Sequence, residues 1–346
     1  MLKLFLRKIL IKILQPLGFY LTYYSSAVKI KSSLSKESIA VKEFELKRIF
    51  DTIGVANNHK FYNNLLREFT TNWQLKINKA SFIGFGAGAS SLSTFRKLEV
   101  SERILHEKIY FTTHKDLKRI LWFYKNCSHL VNNAGIALPN VYKVYSGEVI
   151  TAFYTEFVAL KKLNLMSKEK KLVQFSTKLY KLSLTNKFEF LLKEISEDIK
   201  DFQSHFEYKK NRAKAKKILK EHHINLEFLE EKVNQSRYVL THGDIQDTNA
   251  FEDGVLIDWD SVGVYPIGLD AAFLLFYLLI KDEKESTDIF VWLDANYKSE
   301  IEEKDWKSFE LNVLFFLFVF IQIRLKESKY NNLNKTLIKL LLKNIK

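Results

Sequence analysis

The spacing of apolar residues along the chain shifts from helical to strand-like and back. Phe44, Leu46, Ile49 and Phe50, then Phe61, Leu65, Leu66 and Phe69, recur at helical intervals and predict a helical lead-in over residues 37–79. From Ala80 the pattern shortens. Ser81-Phe82-Ile83 and Leu92 to Leu98 flank a run of small residues, and Ile104 to Phe111 partly alternates. Val141 to Tyr145 and Val149 to Tyr154 flank Ser146-Gly147-Glu148. These runs predict a small antiparallel sheet over residues 80–157. Beyond it, residues 158–346 read as mostly helical. Leu172, Phe175, Leu179 and Leu182 make one stripe, and Phe188, Leu191, Leu192 and Ile195 another. Gly263 to Asp270 reads as a loop, with Asp270 the N-cap of a buried helix from Ala271 to Ile280. The apolar run from Leu311 to Ile323 contains Asn312 and Gln322. It is too short to span a bilayer and reads as a core helix. The expected class is α+β.

One strand-like region late in the chain carries chemistry. Tyr238-Val239-Leu240 predicts a short strand leading into His242-Gly243-Asp244. After Asn249, Ala250-Phe251 and Val255-Leu256-Ile257 flank Glu252-Asp253-Gly254, and Asp-Gly between β-prone runs is a strong hairpin signal. In such a hairpin Asn249 begins one arm and Asp258 ends the other, so both side chains emerge at the same end, with Asp244 on the loop leading in. Two carboxylates and a carboxamide converging in this way suit a hard divalent cation and an alcohol nucleophile.

These residues resemble the aminoglycoside phosphotransferase and choline kinase-like small-molecule kinases. Their catalytic loop is His-Gly-Asp, four residues, then Asn, and their metal-binding segment is an apolar triplet followed by Asp. His242, Gly243, Asp244 and Asn249, then Ile257-Asp258-Trp259, match in type, order and spacing. The resemblance implies a bilobal protein-kinase-like fold, with extra N-terminal helices here. It also implies ATP as phosphate donor and Mg²⁺ as cofactor. Asp244 would then accept the proton of a substrate hydroxyl, while Asn249 and Asp258 hold Mg²⁺. His242 would support the loop, Gly243 would allow tight backbone passage, and Asp270 would brace the loop. Asp260 faces either the surroundings of the metal or the acceptor, and Asp247 reads as a loop cap.

The resemblance extends upstream. Gly84, Gly86, Gly88 and Ser90 lie in a small-residue loop whose N–H groups can approach phosphate oxygens, although a plain hairpin loop would look alike. Lys108, rather than Lys97, fits the strand lysine that pairs with nucleotide phosphates. The family's usual Glu on the following helix is missing, and Asp116 is the acidic residue offered there. That departure keeps a nucleotide-binding protein without turnover as an alternative. Glu156 and Phe157 fall where the family's hinge contacts adenine.

Charge changes the picture at one end. Residues 1–36 carry Lys3, Arg7, Lys8, Lys12, Lys29, Lys31 and Lys36 and no acidic residue. This basic amphipathic leader reads either as a helix on an anionic membrane surface or as a first helix packed on the domain. Lys12 breaks the pattern of a secretory signal. The lone Cys127 excludes an intramolecular disulfide and fits the cytoplasm, peripheral to the inner membrane face if the leader binds it. Cys127 reads as a buried apolar residue, and His222 and His223 as surface residues.

The net charge of +14 fits nucleotide substrates, and Lys209 to Lys217 reads as a solvated helix face. No nucleic-acid motif accompanies it, so no nucleic-acid partner is expected. The expected acceptor is a small hydroxylated molecule. The Gly of His-Gly-Asp resembles aminoglycoside and sugar kinases more than choline kinases. Basic charge favours a sugar or glycan precursor over an aminoglycoside or an amino alcohol such as choline.

Overall fold

A computed structural model describes residues 75–85, 94–111, 116–146, 150–158, 161–164, 168–281, 289–324 and 328–345. The leader, most of the helical lead-in, and Gly86, Gly88 and Ser90 lie outside them. The described residues fall into two compact units.

The first unit is an antiparallel sheet. Strands β1 (Ile77–Phe85), β2 (Thr94–Val100), β3 (Arg103–Phe111), β4 (Val141–Ser146) and β5 (Ile150–Glu156) are ordered β1-β2-β3-β5-β4. Alternation on β2 and β3 sets the buried face: Arg96, Leu98 and Val100 lie against Glu107 and Leu105, while Lys97, Glu99 and Lys108 take the other side. Arg96 and Glu107 pair across the strands with neither exposed, Nε to Oε1 at 2.5 Å and Nη2 to Oε2 at 2.9 Å. A buried charge survives only with such a partner. Gly84 lies in β1, opposite Phe95.

The second unit is helical. It contains α1 (Leu117–Asn126), α2 (Ser128–Asn133), α3 (Lys168–Ser183), α4 (Asn186–Glu194), α5 (Glu197–Lys200), α6 (Phe206–Glu221) and α7 (Leu226–Asn234). Further on come α8 (Leu269–Ile280), α9 (Ile289–Tyr297), α10 (Glu303–Ile321) and α11 (Ser328–Ile345). The stripe Leu172, Phe175, Leu179 and Leu182 is buried along α3. Among the described residues α10 is the one helix long and apolar enough to cross a membrane, yet it packs between α8 and α11. Its polar interruptions donate inside the protein: Asn312 to Ser236 Oγ and the Ile267 carbonyl, and Gln322, just past the helix end, to the Phe318 carbonyl and Asn334. Cys127 is buried, which pushes its thiol up to about 12. His222 and His223 are exposed.

Four expectations change here. Strand β1 begins at Ile77, inside the expected helical lead-in, and Gly84 lies in that strand rather than in a loop, because the segment pairs with β2. Gly263–Pro266 is not loop but strand β7, antiparallel to β6 (Tyr238–Thr241), because this apolar run is buried and its backbone pairs there. Asp270 is not the N-cap of α8. Gly268 holds that position, and Asp270 sits in the first turn with its carboxylate claimed by a neighbouring loop.

Candidate active site

β6 delivers the chain into His242, and the hairpin expected after Asn249 forms as a narrow bridge rather than full strands. Ala250 pairs with Leu256, Phe251 N–H donates to the Val255 carbonyl at 3.0 Å, and Ile257 N–H donates to the Asn249 carbonyl at 2.8 Å. Gly254 turns the corner at φ +75°. Asn249 and Asp258 therefore flank the same end of the hairpin.

The loop between β6 and the hairpin is held by side chains from distant elements. Asp270 accepts from His242 N–H at 3.0 Å and Gly243 N–H at 2.8 Å. His242 Nε2 lies 2.9 Å from the Ile257 carbonyl, and its Nδ1 accepts from Asp244 N–H at 3.2 Å. A carbonyl can only accept, so Nε2 carries the proton and Nδ1 the lone pair: the ring is a neutral brace. Gly243 is left-handed at φ +79°, and a Cβ there would lie 2.4 Å from the Ser261 carbonyl oxygen. Only glycine fits where these two loops touch.

Asp258 is exposed and left-handed (φ 65°, ψ 55°), a conformation Asp tolerates better than most residues. The next residue anchors it. Trp259 is buried, donates to the Leu256 carbonyl at 2.9 Å, and stacks on Phe123 with ring centroids 4.3 Å apart.

Asp244 is partly buried and accepts from Asn249 Nδ2 at 3.0 Å and from Gln246 Nε2 at 3.0 and 3.1 Å. Burial pushes its carboxyl up to about 8. The charge of Asp258, and more weakly that of Asp260, adds to this, while the two amides pull the other way. Burial likewise pushes Asp270 up to about 7, with the two main-chain N–H groups opposing. Asp260 is buried. Asp247, expected as a loop cap, instead pairs with buried Lys168 at 2.8 Å and accepts from Tyr277, which lowers its carboxyl's affinity for protons despite burial.

The structure thus brings His242, Gly243, Asp244, Asn249, Asp258, Asp260 and Asp270 together. Sequence reasoning missed Gln246, which lies inside the motif, and His205, whose Nε2 is 2.7 Å from the Gly243 carbonyl. No local pattern marks His205. Asp116 precedes α1 and accepts from Arg119 within the helical unit.

The remaining expected residues belong to the sheet unit. Lys108 is half-buried on β3, its ammonium 5.4 Å from the Tyr110 ring centroid. Glu156 accepts from Asn140 Nδ2 at 3.0 Å, and the main-chain N–H groups of Glu156 and Phe157 donate to the Asn140 and Ile104 carbonyls.

Among solved structures, the chain is similar to a microcompartment-associated aminopropanol kinase. The identity is 13%, the match covers 81% of this chain and 94% of that one, and the TM-score is 0.51. The likeness shows the fold, which is protein-kinase-like. Weaker likenesses are to a choline kinase from Streptococcus pneumoniae (14% identity, 82% of this chain and 99% of that one, TM-score 0.41) and to an aminoglycoside phosphotransferase (10%, 81% and 98%, 0.45). Comparison of the sequence with family models gives no match, and neither does comparison with curated proteins.

Proposed function

We propose that this chain is an ATP-dependent phosphotransferase acting on a hydroxyl of a small molecule. The observation that carries this reading is the Asp244 carboxyl: proton-avid at about 8, gripped by Asn249 and Gln246, within reach of the charge of Asp258, and set on a loop braced by Asp270. Asp244 accepts the proton of the acceptor hydroxyl as its oxygen bonds to the γ-phosphorus of ATP. The bond from that phosphorus to the β–γ bridging oxygen breaks, and ADP leaves. A neutral His242 with both nitrogens engaged supports the loop and takes no proton.

The donor set fits Mg²⁺. Asp258 and Asn249 supply oxygen ligands only, as a hard cation demands, and a cation beside Asp258 would offset the charge that Asp258 sets against Asp244. Among the described residues no group of three or more His, Cys, Asp or Glu side chains is placed to hold a metal ion. Phosphate oxygens of the nucleotide would therefore share the shell. Bound Mg²⁺ supplies positive charge to the phosphate oxygens. In this reading Lys108 and the glycine-rich segment around Gly84 serve the phosphates and the strand end at Glu156 and Phe157 serves the adenine, while Asp116 is taken by Arg119 within the helical unit.

A sugar or glycan precursor is the acceptor favoured by the +14 charge, which disfavours cationic aminoglycosides and choline. The same charge in residues 1–36 supports contact with an anionic membrane, and the single cysteine supports a cytoplasmic location. The test is ADP formation from ATP and Mg²⁺ across a panel of sugars, amino alcohols and aminoglycosides. Acceptor-dependent ADP that vanishes in Asp244→Asn is expected. Turnover surviving that substitution, or none with any acceptor, contradicts the proposal.

A further inference from the structure

We propose that His205 is a positioning residue for Asp244, its imidazole donating from Nε2 to the Gly243 carbonyl and so fixing the peptide plane on which the Asp244 carboxyl is mounted. This rests on the phosphotransferase reading of the same loop.

The Gly243–Asp244 peptide has two polar groups, and both are gripped. Its carbonyl lies 2.7 Å from His205 Nε2, and its N–H donates to His242 Nδ1 at 3.2 Å. The two preceding peptides give their N–H groups to Asp270. Three successive peptide planes are thus held by two distant side chains, His205 and Asp270, and by His242 of the loop itself. The peptide before Asp244 sets where its Cα–Cβ bond points, because a planar peptide leaves only φ between it and the side chain. Removing the carbonyl's partner frees that plane to tilt.

His205 is itself held firmly. Its ring is buried and packs against Phe206, Tyr265, Phe273 and Phe320, with centroids 4.8, 6.1, 6.1 and 5.6 Å away. It follows the tight turn Phe202–Ser204, which is pinned from outside. Arg119 Nη1 donates to Ser204 Oγ at 2.5 Å, and Ser204 Oγ to the Asp201 carbonyl at 2.6 Å. A histidine serves here because the cage admits an aromatic ring and the carbonyl asks for an N–H at its edge. Phenylalanine keeps the ring and lacks the donor; glutamine keeps an N–H donor and lacks the ring.

These two substitutions make the test. His205→Phe should lower kcat for acceptor-dependent ADP formation about ten- to hundredfold, while the Kd for ADP stays within about twofold of wild type, and His205→Gln should recover most of the loss. Independently of turnover, hydrogen exchange at the His242 and Gly243 amides should accelerate about tenfold or more in H205F and be restored in H205Q. His205→Leu serves as a second donor-free variant should H205F fail to fold. Unchanged kcat and exchange in a folded donor-free variant overturns the proposal. Equal impairment of H205F and H205Q also overturns it, since ring packing would then be the cause. If wild type forms no ADP with any acceptor, the phosphotransferase reading falls, and the exchange measurement alone decides whether His205 clamps the loop.

Discussion

Asn249 donates twice to Asp244, from Nδ2 to the main-chain carbonyl and to Oδ2, each at 3.0 Å. With the amide nitrogen committed, the contribution of Asn249 to a cation comes from Oδ1. Under the proposed function, one residue would thereby orient the base and offer a metal ligand. Asn249→Ala should lower kcat at least about a hundredfold and raise the Mg²⁺ concentration needed for half-maximal rate. Asn249→Asp keeps an oxygen, loses the donor and sets a like charge against Asp244. Its rate should therefore rise with pH later than that of wild type. Magnesium titrations and pH–rate profiles of the two variants decide this, and an Asn249→Ala enzyme with an unchanged magnesium requirement would remove Asn249 from the metal site.

The Asp244 carboxyl makes stability depend on pH. Its folded value, pushed up to about 8, lies above the unfolded 3.8, so the folded state holds the proton more tightly. The neutral form's contribution is fully present below pH 4 and is lost as pH climbs to 8, at a slope below the full ~1.4 kcal/mol per unit because the carboxyl is partly solvated. Asp270, pushed up to about 7, adds a slope of the same sign up to pH 7. Without metal or nucleotide, wild type should melt at a lower temperature at pH 8 than at pH 5. Asp244→Asn should flatten that decline while removing transfer and preserving ADP binding. Melting curves at several pH values provide the check, and an equal decline in both proteins would contradict the assigned direction.

Gly243 and Ser261 meet where a methyl group cannot enter. A Cβ on Gly243 would lie 2.4 Å from the Ser261 carbonyl oxygen, at a φ of +79°. The left-handed conformation alone costs an L-residue about 1–2 kcal/mol, and the clash is with main chain, which cannot swing aside. Gly243→Ala should destabilise the fold by at least ~2 kcal/mol and cripple turnover by displacing both Asp244 and the segment after Asp258. Ser261→Gly should not rescue it, because the nearest obstructing atom is the backbone oxygen. Rescue would show the contact to be softer than its geometry.

What could be read from the chain depended on how locally each feature was specified. The Asp253-Gly254 hairpin, the neighbouring positions of Asn249 and Asp258, and the α3 stripe are local patterns, and each forms. Strand β7 was not legible, because Gly263 and Pro266 are turn residues locally and become strand only by pairing with β6. Asp270 looked like a cap because acids favour helix starts. Its ligands, His242 and Gly243, lie 28 and 27 residues upstream. His205 is 38 residues from Gly243 in a charged helical stretch with no motif around it. The loop's local shape is written in its own sequence, and its bracing is written in the tertiary fold.

That bracing gives a final graded outcome. Asp270 is buried and supplies one oxygen to each of two buried N–H groups. Asp270→Ala leaves both donors without an acceptor, at about 1–3 kcal/mol each. Asp270→Asn keeps one oxygen and turns an amide N–H₂ towards the other donor, so one bond survives. Both melting temperature and kcat should therefore fall in the order wild type, D270N, D270A. The Kd for ADP separates the loop's geometry from general unfolding: a folded D270N with lowered kcat and unchanged ADP affinity locates the damage at Asp244. If D270A matches wild type in both quantities, the two N–H groups are satisfied without it, and the carboxylate is no brace at all.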